Sequence, residues 1–405
     1  MQLVEQHVLD QQDARYAVID TAAFASKNLY NAALYLVRHS FIHQGIYLSY
    51  PEVYHQMKVH EAYRFLPTKV SQQVMKLLDK NWKSYFAACK AYAEDPGKFL
   101  GHPKLPQYKD KQKGRNILVY TSQAISRSGL KRGVIVPSGL PVEIETQHAS
   151  TVDCVRIVPR HGYYVVEVVY EQERVPAPLD TSLYAAIDIG LNNLAMLTSN
   201  KVGFVPRLVN GRPVKSINQF YNKQREHIQK QLGKTQQTSR RMEHLTNKRT
   251  RKIDHYLHNA SKRIVELLVH EQIGTLVIGK NINWKQEMNT GKRNNQNFVQ
   301  VPHARFISML TYKCKLVGIR VIETEESYTS KASFLDMDDM PTYGECKQEP
   351  LLSGRRVKRG LYQSAEGYRY NADVNGSYNI LRKVAPDAFG QGSRGCVVHP
   401  LPLRA

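Results

Sequence analysis

The sequence predicts an α/β protein in two parts: a helical bundle joined to a small β-barrel or sheet, followed by an α/β domain with a mixed sheet. Three observations carry this reading. Residues 16–95 repeat apolar side chains at intervals of three and four, the period of an amphipathic helix. Residues 115–175 change to short runs rich in β-branched and aromatic residues, the texture of strands. Beyond about residue 183 the order is strand, strand, helix, strand, helix, strand, helix, the succession of an α/β domain.

Taken in order, "TAAFASKNLYNAALYLVRHSF" and "LPTKVSQQVMKLLDKNWKSYFAACKAYAE" read as helices, and "DPG" at 95–97 stops the second. "GHPKLPQYKDKQKGRNILVY" opens as a Pro- and Lys-rich connector that no regular element accommodates. Short strands follow in "NILVY", "GVIVP", "PVEIET", "TVDCVRIVPR" and "GYYVVEVVYEQE", and "VPAPLD" at 175–180 reads as a linker. "LYAAIDIGLNNLAMLTSN" then gives strand, tight turn and strand. A basic helical stretch spans about 216–272, before a strand ending in "LVIGKN". A helix near 302–317, the strand "GIRVIETEE" and the helix "DVNGSYNILRKV" complete the pattern, with an irregular insert at 327–371. The expected division is residues 1–178, with a helical part at about 16–95, then 179–390, and a tail at 391–405.

Composition narrows the partners. The 405 residues, 42% hydrophobic, suit folded domains rather than disorder. Lys and Arg number 57 against 35 Asp and Glu, a formal net charge of +22. A solvated surface has no need of that excess, and a polyanion would use it. The 24 tyrosines add aromatic faces for unstacked bases. Cys89, Cys154, Cys314, Cys346 and Cys396 form no CxxC pair, which argues against a disulfide framework or a thiolate zinc site. The opening "MQLVEQHVLDQQ" lacks the pattern of a leader peptide, and no run of eighteen apolar residues exists. The expected setting is the cytoplasm, at the nucleoid, with no membrane partner.

Two carboxylates stand out. In "AAIDIGLNN" a strand of small and branched apolar residues is interrupted by Asp188. Either it caps the next turn, or a divalent cation offsets the cost of burying it. In "YNADVNGSYNILRKV" Asp373 stands at the start of an amphipathic helix, where Asp also serves as a simple cap. Together in a basic α/β protein, the two suggest divalent-metal phosphodiester hydrolysis, in which two ions roughly 3.5–4 Å apart are held by several carboxylates.

These stretches resemble a known family. "AIDIGLNNLA" is similar to the first motif of a RuvC-type nuclease domain, which has an RNase H-like fold. "DHYLHNASKRIVELLVHEQIGTLVIG" resembles the helix and strand leading to the second motif. "ESYTSKASF" resembles the tyrosine-threonine-serine segment after it, and "YNADVNGSYNI" the third motif. With the connector "GHPKLPQYK" they resemble TnpB, the transposon-encoded protein ancestral to type V CRISPR effectors. The resemblance implies an RNA-guided, Mg²⁺- or Mn²⁺-dependent DNA endonuclease. It further implies a guide RNA from the transposon end and double-stranded target DNA with a short flanking motif. It makes the N-terminal part a wedge barrel with an inserted helical recognition domain. Gln72 and Gln73 are candidates for reading flanking bases, or are plain solvated helix positions.

Two departures from the family pattern follow. Where zinc-binding cysteine pairs are expected, "YTSKASFLDMDD" has Ser333 and Asp336, and Cys346 alone cannot build a tetrahedral site, so no zinc is expected. Where the family's second motif has its catalytic glutamate, this chain has Gly279. The neighbouring strand ends in "ETEESYTS", and in an RNase H-like sheet its end lies beside Gly279. Glu326 is therefore the expected replacement, giving Asp188, Glu326 and Asp373 as metal ligands. Glu325 would face the opposite way if the strand persists. The alternatives are an exposed, charged strand end and a nuclease-dead RNA-guided binder of repressor type. A DNA-strand transposase in its own right ranks last.

Overall fold

The computed structural model describes residues 1–233, 236–281, 299–341, 350–389 and 396–404. They form two units, Met1–Gln172 and Glu173–Ala405.

The first unit contains, in order, β1 (Gln2–Asp10), α1 (Tyr16–Gln44), α2 (Tyr50–Met57), α3 (Glu61–Arg64), α4 (Thr68–Glu94), β2 (Leu118–Thr121), α5 (Arg127–Lys131), β3 (Val134–Ile135), β4 (Ile144–Glu145), β5 (Val152–Arg160) and β6 (Tyr163–Glu171). The long strands form one antiparallel sheet in the order β1-β6-β5-β2, and β3 pairs with β4 apart from it. β1 lies outside the expected strand block. Its alternating face leaves Val4 and Val8 partly exposed, so it lacks a strong apolar stripe. α1 ends at Gly45, whose left-handed φ of 69° lets its amide and that of Ile46 close back onto Phe41 and Ser40. α1 and α4 pack around Trp82, with Phe41 edge-on at 5.2 Å. The connector is pinned along α1: Asn31 bonds both the carbonyl and the amide of Lys109, and the buried Lys27 ammonium donates to the Lys111 carbonyl.

The second unit contains β7 (Asp180–Asp188), β8 (Asn193–Ser199), β9 (Arg207–Asn210), α6 (Arg212–Gln231), α7 (Arg240–His270), β10 (Ile273–Gly279), α8 (His303–Leu316), β11 (Arg320–Thr324), β12 (Arg355–Lys358), β13 (Leu361–Gln363), β14 (Arg369–Asn371), α9 (Ala372–Val384) and β15 (Leu401–Leu403). Its main sheet runs β11-β10-β7-β8-β9-β15. β7, β8 and β9 form an antiparallel meander, whereas β10 and β11 run parallel to β7. The sheet is therefore mixed, in a mixed α/β unit. Strand side chains alternate between faces, and the core divides accordingly. Ala185, Ile187, Leu276 and Ile278 pack with the residues of α7 and α8, while Ala186, Met196 and Val277 pack with Val374, Tyr378 and Ile380 of α9. Covered on both faces, β10 is buried throughout, which is why "LVIG" reads as a continuous apolar run.

Two expectations need correction. The basic stretch 216–272 is two helices, with Leu232 closing α6 and Ser239 capping α7. The insert at 327–371 is not wholly irregular, because β12, β13 and β14 form a small antiparallel sheet around Tyr362 and Tyr370. Its strands are only three or four residues long, and β12 is a run of Arg and Lys around one valine, so no β pattern shows. Among the described residues, no helix is long and apolar enough to cross a membrane.

Candidate active site

The site begins with strand direction. β7 and β10 are parallel, with Ile187 beside Ile278, so Asp188 and Gly279 leave the sheet side by side at its C-terminal edge. Clefts outside such ends are where open α/β sheets bind ligands. β11 is parallel to β10, with Thr324 opposite Gly279, and its chain turns immediately afterwards. The Glu326 amide donates to Asn281 Oδ1 at 2.8 Å, fixing the turn.

Glu326 then bends back over the glycine. A Cβ at position 279 would sit 2.4 Å from Glu326 Oε1 and 2.8 Å from its Cγ, so the side chain fills the space that glycine leaves. Glu326 Oε1 is buried without a hydrogen-bond partner among the described residues, an expensive state for a charged oxygen. Glu325 turns elsewhere. It pairs with the almost fully buried ammonium of Lys383 and accepts from the Ser327 amide.

Asp373 is set by its helix start. Asn371 caps α9 by accepting from the amides of Asp373 and Val374 at 2.9 and 3.1 Å. Asp373 Oδ2 accepts from Asn193 Nδ2 at 2.6 Å, and Oδ1 lies 3.7 Å from Arg356. One turn on, Gly376 lets α9 approach Asp188: a Cβ there would be 2.9 Å from Asp188 Oδ2. A cleft of about 410 Å³ is lined by Asp188, Asn193 and Asp373 together with Arg212, Arg356 and Arg359.

The rest of the "NADVNGSYN" motif is architectural. Asn375 Oδ1 accepts from the Phe334 amide and the Tyr370 hydroxyl, while its Nδ2 donates to the Ala332 carbonyl. Asn379 donates to the carbonyls of Thr329 and Ala332. These bonds tie the segment after Glu326 to α9. Asn375→Ala is expected to cost about 2–4 kcal/mol, because three partners lose a fully buried amide. An unchanged denaturant midpoint would refute that role.

Electrostatics separates the carboxylates. Burial, then Glu326 and Asp373, push the Asp188 carboxyl up to about 8, against the opposing charge of Arg356. Burial and Glu325 push Glu326 up to about 7. Burial alone would raise Glu325, but its bonds to Lys383 and Ser327 outweigh it and hold that group below the ordinary carboxylate range. With no cation bound, folded Asp188 and Glu326 thus keep protons that an unfolded chain releases near pH 4. Stability therefore falls as pH rises from about 4 to 8. The chelator-treated protein should lose stability between pH 6 and 8, and Asp188→Asn should flatten that slope. An identical slope in the variant would refute the assignment.

Among the described residues no three His, Cys, Asp or Glu side chains stand as a ready-made cluster for one ion. What the site offers is the Asp188 carboxylate, close enough to Glu326 and Asp373 to feel their charge, and the buried Glu326 Oε1 with no partner among the described residues. That donor set fits hard divalent cations. The segment where the family pattern has zinc-binding cysteines holds a hydrogen-bonded knot. Ser333 Oγ donates to Asp336, which also accepts from the Ala365 amide at 2.8 Å, and Asp338 accepts from the Ser333 amide at 2.7 Å. Cys346 lies outside the described residues. Gln72 and Gln73 lie half-buried on α4 of the other unit. Sequence reasoning missed Asn193, Arg356, Asn375 and Gly376. Only the asparagine spacing of the last motif, with Asn375 and Asn379 one turn apart, signalled any of them.

The fold and the site together define a mixed α/β protein with a cleft of carboxylates and guanidinium groups at the ends of parallel strands. Its fold is like that of the effector Cas12f1: the complex of Cas12f1 with sgRNA and target DNA matches at a TM-score of 0.53 and 11% identity, covering 91% of this chain and 82% of that one. Residues 167–285 match a family model described as a probable transposase, OrfB_IS605, and residues 303–380 match the Cas12f1-like TNB domain. The TnpB-like protein ORF457 of Acidianus two-tailed virus is 22% identical over 397 residues, covering 88% of this chain and 81% of its own. This chain belongs to the TnpB family.

Proposed function

We propose that this protein is a transposon-encoded, RNA-guided DNA endonuclease that depends on a divalent metal and whose second catalytic carboxylate is Glu326. The observation that carries the reading is the Glu326 side chain lying in the space above Gly279. The strand order β11-β10-β7-β8-β9, a meander followed by two parallel strands, supports an RNase H-like, RuvC-type domain. The four-stranded sheet and helices of the first unit support a wedge with a helical recognition insert.

Asp188, Glu326 and Asp373 would hold Mg²⁺ or Mn²⁺. Bound there, the ions supply an activated water and stabilise the leaving oxygen. The protein's own side chains do the rest. Asn193 orients Asp373 through its 2.6 Å bond. Lys383 draws Glu325 aside, so that only Glu326 faces the site. Arg212, Arg356 and Arg359 face the cleft, where guanidinium groups suit the phosphates of the strand to be cut. The +22 charge supports a bound guide RNA and target DNA, with Gln72 and Gln73 as flanking-motif readers. The knot around Ser333, Asp336 and Asp338 stands where zinc would, and dialysed protein should contain none by metal analysis.

The absence of a carboxylate at Gly279 favours one other reading, an RNA-guided binder that does not cut. Purified protein should carry one discrete RNA and cleave a matching target in Mg²⁺ but not in EDTA. Guided binding without cleavage in either Mg²⁺ or Mn²⁺ would establish the binder. Protein free of nucleic acid that binds random duplex equally well would sink both readings.

A further inference from the structure

α6 and α7 enclose a second pocket, of about 280 Å³, lined by Ile217, Phe220, Tyr221, Lys248, Arg249 and Lys252, none of which borders the carboxylate cleft. α6 turns Val214, Asn218, Tyr221 and Ile228 inward. Phe220 instead faces out, 61% exposed, at a cost in exposed apolar surface that packing does not explain. Beside it, Arg249 is held rigid. Its Nε donates to Asn218 Oδ1 at 2.7 Å, its Nη2 donates to the Gln300 carbonyl at 3.2 Å, and its guanidinium lies 5.0 Å over the Tyr221 ring. Gln300 is locked in turn by reciprocal amide bonds with Asn222 at 3.0 and 2.9 Å. Asn218, the Gln300 carbonyl and Tyr221, which hold this guanidinium, are all neutral; Asp254 acts on it only through its charge, and no carboxylate lines the pocket among the described residues.

An outward aromatic face, a fixed guanidinium and two lysines match one ligand chemistry, a flat base joined to phosphates. Bases stack on aromatic rings whatever their sequence, and lysines follow the backbone. At about 280 Å³ the pocket falls just below the roughly 300–1,000 Å³ of drug-sized sites, the scale of one nucleotide rather than a duplex. We propose that this pocket holds a single unpaired nucleotide of a bound strand, its base against Phe220 and its flanking phosphates on Lys248 and Lys252. The assignment is independent of cleavage, because a nuclease and a nuclease-dead binder would share it.

The test uses full-length protein freed of co-purified nucleic acid. The probes are short mixed-sequence RNA with one 4-thiouridine, matching DNA with one 4-thiothymidine, and the same RNA annealed to its complement. Under long-wave ultraviolet light, single strands should form adducts on the peptide carrying Phe220 and Tyr221, and the duplex should not. Phe220→Ala should lower that yield about tenfold, in line with the stacking contribution of one base, while Phe220→Trp should keep it. Replacing Lys248 and Lys252 together by Ala should make the salt dependence of single-strand binding shallower by about 1.4 in log-log slope. Adducts with RNA alone assign the guide strand, and with DNA alone a displaced strand; either supports the pocket. Adducts that map only elsewhere, a Phe220→Ala yield equal to wild type, or equal labelling by the duplex would overturn it.

Discussion

Glu326→Gln should reduce guided DNA cleavage on the order of 10³-fold or more while leaving target binding within about twofold. The substitution keeps size and shape but removes the negative charge from an oxygen that is buried and has no partner among the described residues. Asp188→Asn and Asp373→Asn should fail to a similar degree. Combining any two should add little, because carboxylates that hold the same ions act as one unit. Binding survives because base pairing and backbone contacts supply it. Glu325→Gln is the informative control. Its carboxylate is already neutralised by Lys383, so most activity should remain. If Glu325 proved essential and Glu326 dispensable, the replacement carboxylate would come from the neighbouring residue. Normal cleavage by Glu326→Gln with Glu325 also dispensable would remove this strand end from the chemistry.

What the sequence made legible follows from how strongly each residue is constrained. Asp188 stands out because a lone carboxylate in "AAIDIG" contradicts its strand, and the structure has it at the end of β7, beside Gly279. Glu326 could be named because parallel neighbours bring their ends together. The turn after Thr324 adds what alternation could not supply: β11 stops there, so the opposite directions of Glu325 and Glu326 come from Lys383 and Asn281 rather than from strand phase. Asn375 and Gly376 read as ordinary helix residues, because their constraint comes from Ala332, Phe334 and Asp188, all distant in sequence. Arg356 was invisible for the same reason. Its strand is an exposed run of charge whose place beside Asp373 depends on the β12–β14 sheet.

Gly279 should be intolerant of even a methyl group. In Gly279→Ala the new Cβ would meet Glu326 Oε1 at 2.4 Å and Ile380 Cδ1 at 2.6 Å. Both are the far ends of side chains, so the fold should survive with a loss of about 1–3 kcal/mol from overpacking. Glu326, however, must move, and a displacement of about 1 Å at a reacting centre can cost about 10²-fold in rate. Cleavage should therefore fall far more than stability. The reciprocal exchange, Gly279→Glu with Glu326→Ala, returns a carboxylate to the strand end and removes the side chain that would collide with it. That double variant should regain cleavage to within about tenfold of wild type, although each single change alone is severely impaired. Such a rescue requires strong coupling between the two positions, which independent structural damage would not produce. Wild-type cleavage by Gly279→Ala, or a double variant no better than either single one, would mean that the closeness of Glu326 to Gly279 has no part in the reaction.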